Sequence, residues 1–105
     1  MQRPSFIVGK ILILPKTNVN ILLNRYTSLE YLYLSDNPLR EIPPEISKLK
    51  KLQYLNLSNT QVTQLPFEMN ELTSLKQIVF YRSNLSPEQK AQIKKSLPRI
   101  SVQFE

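Results

Sequence analysis

Apolar residues return along this chain at an interval of 23. Leu29, Leu52 and Leu75 are 23 apart, and so are Leu32, Leu55 and Ile78. The same holds for Leu34, Leu57 and Phe80, and for Leu39, Val62 and Leu85. The second half of the unit recurs too, with Ile42–Pro43 answered by Leu65–Pro66, Ile46 by Met69 and Leu49 by Leu72. Within each unit, Leu32 and Leu34 alternate with Tyr31, Tyr33 and Ser35, the period of a strand buried on one side. The remainder opens on a proline and spaces its apolar residues by three, which predicts a short helical or irregular return. No single unit of this size can bury its own leucines. Units stacked with their strands in parallel join those leucines into one continuous core.

The alternation also says which residues face away from that core. They are Tyr31, Tyr33 and Ser35, then Tyr54, Asn56 and Ser58, then Gln77, Val79 and Tyr81, with Arg99, Ser101 and Gln103 continuing the series. Asn37 follows the first strand where the chain turns inward, and its amide can satisfy loop backbone groups that would otherwise be buried unpaired. Thr60 and Ser83 stand at the equivalent positions and keep a hydroxyl for the same work. Asn59 and Asn84 lie one residue out of register and are assigned to the turns.

Written out, LEYLYLSDNPLREIPPEISKLKK is followed by LQYLNLSNTQVTQLPFEMNELTS, and then by LKQIVFYRSNLSPEQKAQIKKS, one residue shorter. Leu97, Ile100 and Val102 extend the spacing as a fourth half-unit. With these motifs in view, the chain resembles the leucine-rich-repeat proteins over residues 29–102. The stretch LSPEQKAQIKKSLPRISVQF looks like the closing segment of bacterial members, notably those of leptospiral spirochaetes. The resemblance implies an α/β solenoid, a short horseshoe arc with a parallel concave sheet and short helical or irregular convex returns. It also implies a non-catalytic protein-binding surface, used in host contact if the chain is exported.

The two ends depart from the repeat. Ser86-Pro87-Glu88-Gln89 is a helix start, with a Ser cap, Pro at the first helical position and Gln three residues after the cap. The helix should run to about Ser96 and stop at Pro98, after which Ile100, Val102 and Phe104 alternate as a last strand. At the other end, residues 6–15 can be laid on 34–43, with Phe6 for Leu34, Gly9 for Asn37, Ile11 for Leu39 and Leu14–Pro15 for Ile42–Pro43. That alignment leaves five extra residues within 16–28, around Ile21, Leu22 and Leu23. Residues 1–28 are therefore expected to form a degenerate first repeat that caps the stack, and 29–104 the repeats with their closing helix and strand, all in one structural domain. Lys10 interrupts the apolar run from Phe6 to Leu14, which favours a strand over a signal peptide. The same run offers an apolar edge through which residues 6–14 could pair in a homodimer.

Composition narrows the chemistry. Among 105 residues there is no His, no Cys and one Gly. The commonest general base, the commonest metal ligands and a Gly-rich phosphate loop are thereby missing, so neither an enzyme nor a bound cofactor or metal is expected. The net charge of +6 is unevenly spread: Arg3, Lys10, Lys16 and Arg25 stand unopposed before residue 29, whereas residues 29–84 balance to zero. A neutral middle argues against nucleic acid as the partner. The run of lysines at 48, 50, 51, 90, 94 and 95 is interrupted by Glu45, Glu68, Glu71 and Glu88 and reads as solvated surface. No stretch is long enough to span a membrane. Four of the five tyrosines, by contrast, fall on the outward strand face. Tyrosine combines large contact area with a polar tip and a low ordering cost. The candidate protein-binding residues are accordingly Tyr31, Tyr33, Tyr54, Asn56, Tyr81 and Arg99. The competing explanation is that tyrosine simply suits strands and stabilises them by cross-strand pairing.

Overall fold

The computed structural model describes residues 27–104 together with two short strands nearer the N-terminus. Six three-residue strands form one sheet in sequence order: β1 (Phe6–Val8), β2 (Ile11–Ile13), β3 (Tyr31–Tyr33), β4 (Tyr54–Asn56), β5 (Gln77–Val79) and β6 (Ser101–Gln103). From β2 onward all neighbours are parallel. The expected register holds through the middle, where Leu32 pairs with Leu55 and Leu55 with Ile78. Backbone bonds extend the ladder past the strands: Leu34 N donates to Asn56 O, Leu57 N to Val79 O and Phe80 N to Gln103 O, at 2.9, 2.7 and 2.8 Å.

Behind the sheet the returns are 3-10 turns at Pro44–Lys48 and Phe67–Glu71, followed by one α-helix, α1 (Pro87–Ser96). The two 3-10 returns share their main backbone bonds. Ile46 N donates to Pro43 O and Met69 N to Pro66 O, then Leu49 N donates to Ile46 O and Leu72 N to Met69 O. Their spacing of three suits a 3-10 turn, which brings Ile46 and Leu49, or Met69 and Leu72, to the same side. All four are buried, alongside Leu32, Leu34, Leu55, Leu57, Ile78 and Phe80. A buried leucine of this kind contributes roughly 2 kcal/mol over an exposed one, so the core columns carry the stack. Helix α1 opens on the expected capping box: Gln89 N donates to Ser86 Oγ at 3.1 Å and Ser86 N to Gln89 Oε1 at 2.9 Å. It buries Ile93, and Leu97 closes it.

Both ends depart from the repeat register read in the sequence. At the C-terminus Ile78 pairs with Val102, 24 residues on, so the third return is one residue longer than 23 and not one shorter. The cause is α1: a ten-residue helix needs more chain than a five-residue 3-10 turn. Leu97 therefore ends the return, as Leu49 and Leu72 do, instead of opening a fourth unit, and Ile100 packs partly buried against the core. At the N-terminus the strand stacked on β3 is β2, with Leu12 opposite Leu32 at an offset of 20, not 28. Phe6–Val8 doubles back antiparallel on it, pairing Phe6 with Ile13 and Val8 with Ile11. The extra segment around Ile21, Leu22 and Leu23 lies outside the described residues.

Candidate protein-interaction surface

Register aligns the outward side chains in columns. Tyr31 stands beside Tyr54, and Tyr33 beside Asn56, as the 23-residue interval requires. The rings make a cluster: Tyr54 lies 6.0 Å from Tyr31 and 5.3 Å from Tyr33 between centroids, both tilted. These separations and inclinations are those of favourable aromatic pairs. Tyr54 is the middle of the three and half-buried, whereas Tyr31 is 36% exposed. Burial raises the Tyr54 phenol above its ordinary value, with Tyr33 and Tyr81 adding to the effect and a hydrogen bond from Asn56 opposing it. The phenol is thus neutral at physiological pH, a polar tip and not a charge.

Asn56 ties this cluster to the next rung. Its Nδ2 donates to the Tyr54 hydroxyl at 3.3 Å, and its Oδ1 accepts from Ser58 N at 2.9 Å. Ser58 Oγ in turn accepts from Tyr81 N at 2.9 Å, and the Tyr81 hydroxyl donates to Gln103 Oε1 at 3.2 Å. Tyr31, Tyr33, Tyr54, Asn56 and Tyr81 therefore belong to one chain of contacts that runs from β3 to Gln103 of β6. Such a network restrains the side chains it joins.

Arg99 does not join them. Its Nη2 donates to Asn70 O, 3.0 Å away on the second 3-10 return, while Asn70 Nδ2 donates to Ser96 O. The shifted register explains this, because Ser101 and not Arg99 occupies the place beside Gln77. Val79 differs as well: it alternates onto the outward face yet is buried at 2% exposure. By register it lies between Asn56 and Gln103. The lysines keep to the returns, where Lys50 pairs loosely with Glu71 at 3.9 Å and Lys90 and Lys94 each stand 5.6 Å over the Phe104 ring.

At the strand ends lies a column of which sequence reasoning singled out only Asn59, for the turn. Asp36, Asn59 and Arg82, again 23 apart, all adopt left-handed backbone, with φ of 61°, 54° and 55°. Asn59 Nδ2 donates to Asp36 Oδ1 at 2.8 Å, and Arg82 Nη2 lies 3.4 Å from the same oxygen. The signal was available in the interval itself, but three residues of different chemistry do not announce a column.

A short parallel solenoid with a pre-ordered, uncharged strand face defines a class of binding scaffold. Sequence and structural comparisons place it more closely. Residues 27–69 match the family model for leucine-rich repeats in two copies. Among solved structures, a leucine-rich-repeat protein of Leptospira interrogans is 40% identical, with a TM-score of 0.72 over 88% of this chain. The chain spans 22% of that protein's length. No curated protein matches it in sequence. Residues 27–69 thus carry leucine-rich repeats in sequence, and the described strands and returns have the fold of a leucine-rich-repeat solenoid. Such repeats are protein–protein interaction modules, typically without catalysis of their own.

Proposed function

We propose that this chain recognises a protein partner through its concave face, centred on Tyr31, Tyr33 and Tyr54 and flanked by Asn56 and Tyr81. The aromatic cluster carries the reading: the Tyr54 ring in contact with those of Tyr31 and Tyr33, with Tyr31 exposed and Tyr54 held by Asn56. Aromatic anchors of this kind supply most of the binding energy in many interfaces. Around them Ser35, Ser58, Gln77, Ser101 and Gln103 are neutral, so no unpaired charge has to be stripped of water when the face is covered. Residues 1–28 serve in this reading as the cap of a single domain whose repeats occupy 29–104.

Affinity capture tests it, with the wild-type chain and a Tyr31/Tyr33/Tyr54→Ser variant of matched circular dichroism as baits. An exported chain would meet host proteins, so bacterial and host extracts both serve as prey. A protein enriched by the wild type and lost with the variant supports the reading; equal recovery by both baits refutes it.

One observation favours a second reading. Strand β1 stands at the end of the sheet and pairs on one side only among the described residues, whereas β2 is covered on both. Self-association through 6–14 would therefore use Phe6–Val8, in a two-fold antiparallel pairing. Sedimentation over a hundredfold concentration range distinguishes the two, since a mass fixed at 12.3 kDa removes the dimer.

A further inference from the structure

Where the two 3-10 returns begin, the first and second rungs enclose an open groove of about 320 Å3, lined by Glu41, Ile42, Pro44, Gln64, Leu65 and Pro66. Pro43 and Pro66, which lead into the returns, hold extended backbone at φ of −70° and −68°, so both corners of the chain are rigid. Phe67 follows Pro66 directly and is 78% exposed. Its counterpart one rung earlier is Pro44, so a return of this shape needs no aromatic ring at that position. Leu65 is only partly buried, whereas its counterpart Ile42 is buried. The cause lies one rung further on. Helix α1 takes the place of a third such return, and 23 residues after Leu65–Pro66 stand Glu88–Gln89. The apolar column therefore ends at Leu65, and nothing apolar follows in register to cover it.

The surroundings of this groove are acidic. Residues 40–46 and 63–69, which build it, hold Glu41, Glu45 and Glu68 against one cation, Arg40. Arg40 Nε donates to Gln61 Oε1 at 3.1 Å, while none of the three carboxylates is ion-paired among the described residues. Glu71, further along the second return, already has Lys50 beside it. A lone exposed apolar side chain needs no explanation, but Phe67 continues a patch begun by Pro44, Leu65 and Pro66. Apolar patches with a polar rim mark places where another molecule docks.

We propose that this groove docks a basic segment of a partner protein, one that presents an apolar side chain beside a lysine or arginine. Charge complementarity selects the occupant. Glu41, Glu45 and Glu68 attract Lys and Arg, and they repel the phosphates of nucleic acids and anionic lipids. The +6 of the whole chain resides before residue 29 and after residue 84, so within the balanced stretch that holds the groove the local carboxylates decide. The apolar side chain packs against Leu65 and the prolines, and the cation lies over the exposed Phe67 ring next to Glu68. This docking does not rest on the tyrosine face, because the tyrosines cluster on the strands whereas Phe67 belongs to a return.

The test titrates three capped peptides into the full 15N-labelled chain at low salt. Acetyl-RLLRLL-amide carries both features, acetyl-ELLELL-amide reverses the charge, and acetyl-RSSRSS-amide removes the apolar side chains. The first should move the backbone amide signals of Glu41, Ile42, Leu65 and Phe67 and leave those of Tyr31 and Tyr54 in place. The other two should move none of the four. Phe67→Ser changes an exposed side chain, so it should fold normally while weakening the first peptide by about tenfold or more. Glu41→Gln combined with Glu68→Gln should weaken it severalfold and remove most of its salt dependence. Equal shifts from the acidic or the serine peptide, no shift from any, shifts confined to the tyrosines, or an unchanged titration in Phe67→Ser overturns the proposal. So does a wild-type chain whose sedimenting mass rises with concentration unless Phe67 is replaced, since a second copy then fills the groove. The Tyr31/Tyr33/Tyr54→Ser variant should titrate like the wild type, which keeps this docking and the tyrosine face separately testable.

Discussion

Thr60→Val isolates the inward hydroxyl that follows the second strand. Thr60 Oγ1 donates to Leu57 O at 2.8 Å in buried surroundings, the bond that Asn37 Nδ2 makes to Leu34 O at 2.9 Å one rung earlier. Valine keeps the shape and removes the donor, leaving a buried carbonyl without that partner. The desolvation cost of such a group is about 1–3 kcal/mol, and the added methyl recovers at most ~0.8 kcal/mol by apolar burial. For a mid-range cost of about 2 kcal/mol, a net loss of about 1–2 kcal/mol remains. At ~2.1 cal/mol/K per residue, a chain of this length unfolds with an entropy of about 220 cal/mol/K, so the midpoint should fall by about 5–9 °C. Thr60→Asn restores the donor in the form already used at Asn37 and should stay within about 0.5 kcal/mol of the wild type. Urea unfolding followed by circular dichroism, with the three chains side by side, makes the comparison. If Thr60→Val is as stable as the wild type, the hydroxyl is not satisfying a buried carbonyl and the repeated inward polar position has been misread.

Three further perturbations probe other parts of the stack. Ser86→Ala removes the side-chain half of the α1 capping box and should cost about 1 kcal/mol in the same urea assay, with Ser86→Asp close to wild type. Phe104→Ala uncovers Phe80, whose ring it stacks on at 5.6 Å, and removes the platform under Lys90 and Lys94; a loss of about 2–3 kcal/mol is expected, with no change at the tyrosine cluster by NMR. The raised Tyr54 phenol, shifted first by burial, means that the folded chain keeps this proton to higher pH than the unfolded chain does. Its contribution is intact below the unfolded value of about 10 and is lost as pH climbs through the folded one, so Tyr54→Phe should flatten the alkaline fall in stability.

What the sequence discloses depends on repetition. Leu32, Leu55 and Ile78 could be placed because each has copies at a fixed interval, and the same spacing set Tyr31 beside Tyr54 before any coordinates. At the ends there is no second copy to correct an alignment. Leu97, Ile100 and Val102 satisfy the strand spacing, yet the longer helical return moves the strand on by two residues and carries Arg99 out of the face with it. Phe6–Leu14 fits a repeat template in one register, whereas Phe6–Val8 pairs antiparallel with Ile11–Ile13, which stacks on β3 in another. Val79 shows a different limit: alternation gives the side of the sheet on which a residue lies but not what its neighbours cover.

Fold and recognition can be separated column by column. Each rung imposes the same demand at equivalent positions, so a column filled with one chemistry is answering the fold. Leu34, Leu57 and Phe80 are such a column, and so, through different atoms, are Asn37 and Thr60, which both bond the carbonyl three residues back. The concave columns behave otherwise. Tyr31, Tyr54, Gln77 and Ser101 are neighbours in register with the same backbone pairing, as are Tyr33, Asn56, Val79 and Gln103. A parallel ladder has no need of a tyrosine in one rung and a serine in another, and cross-strand stacking would favour tyrosine throughout. The same holds for Asp36, Asn59 and Arg82, where the backbone asks for asparagine and receives it once. In the function proposed above, residues that change where the structural demand is constant are the ones that answer a partner. On this chain they converge on one surface, with the aromatic residues toward the first rungs and the arginine toward the third.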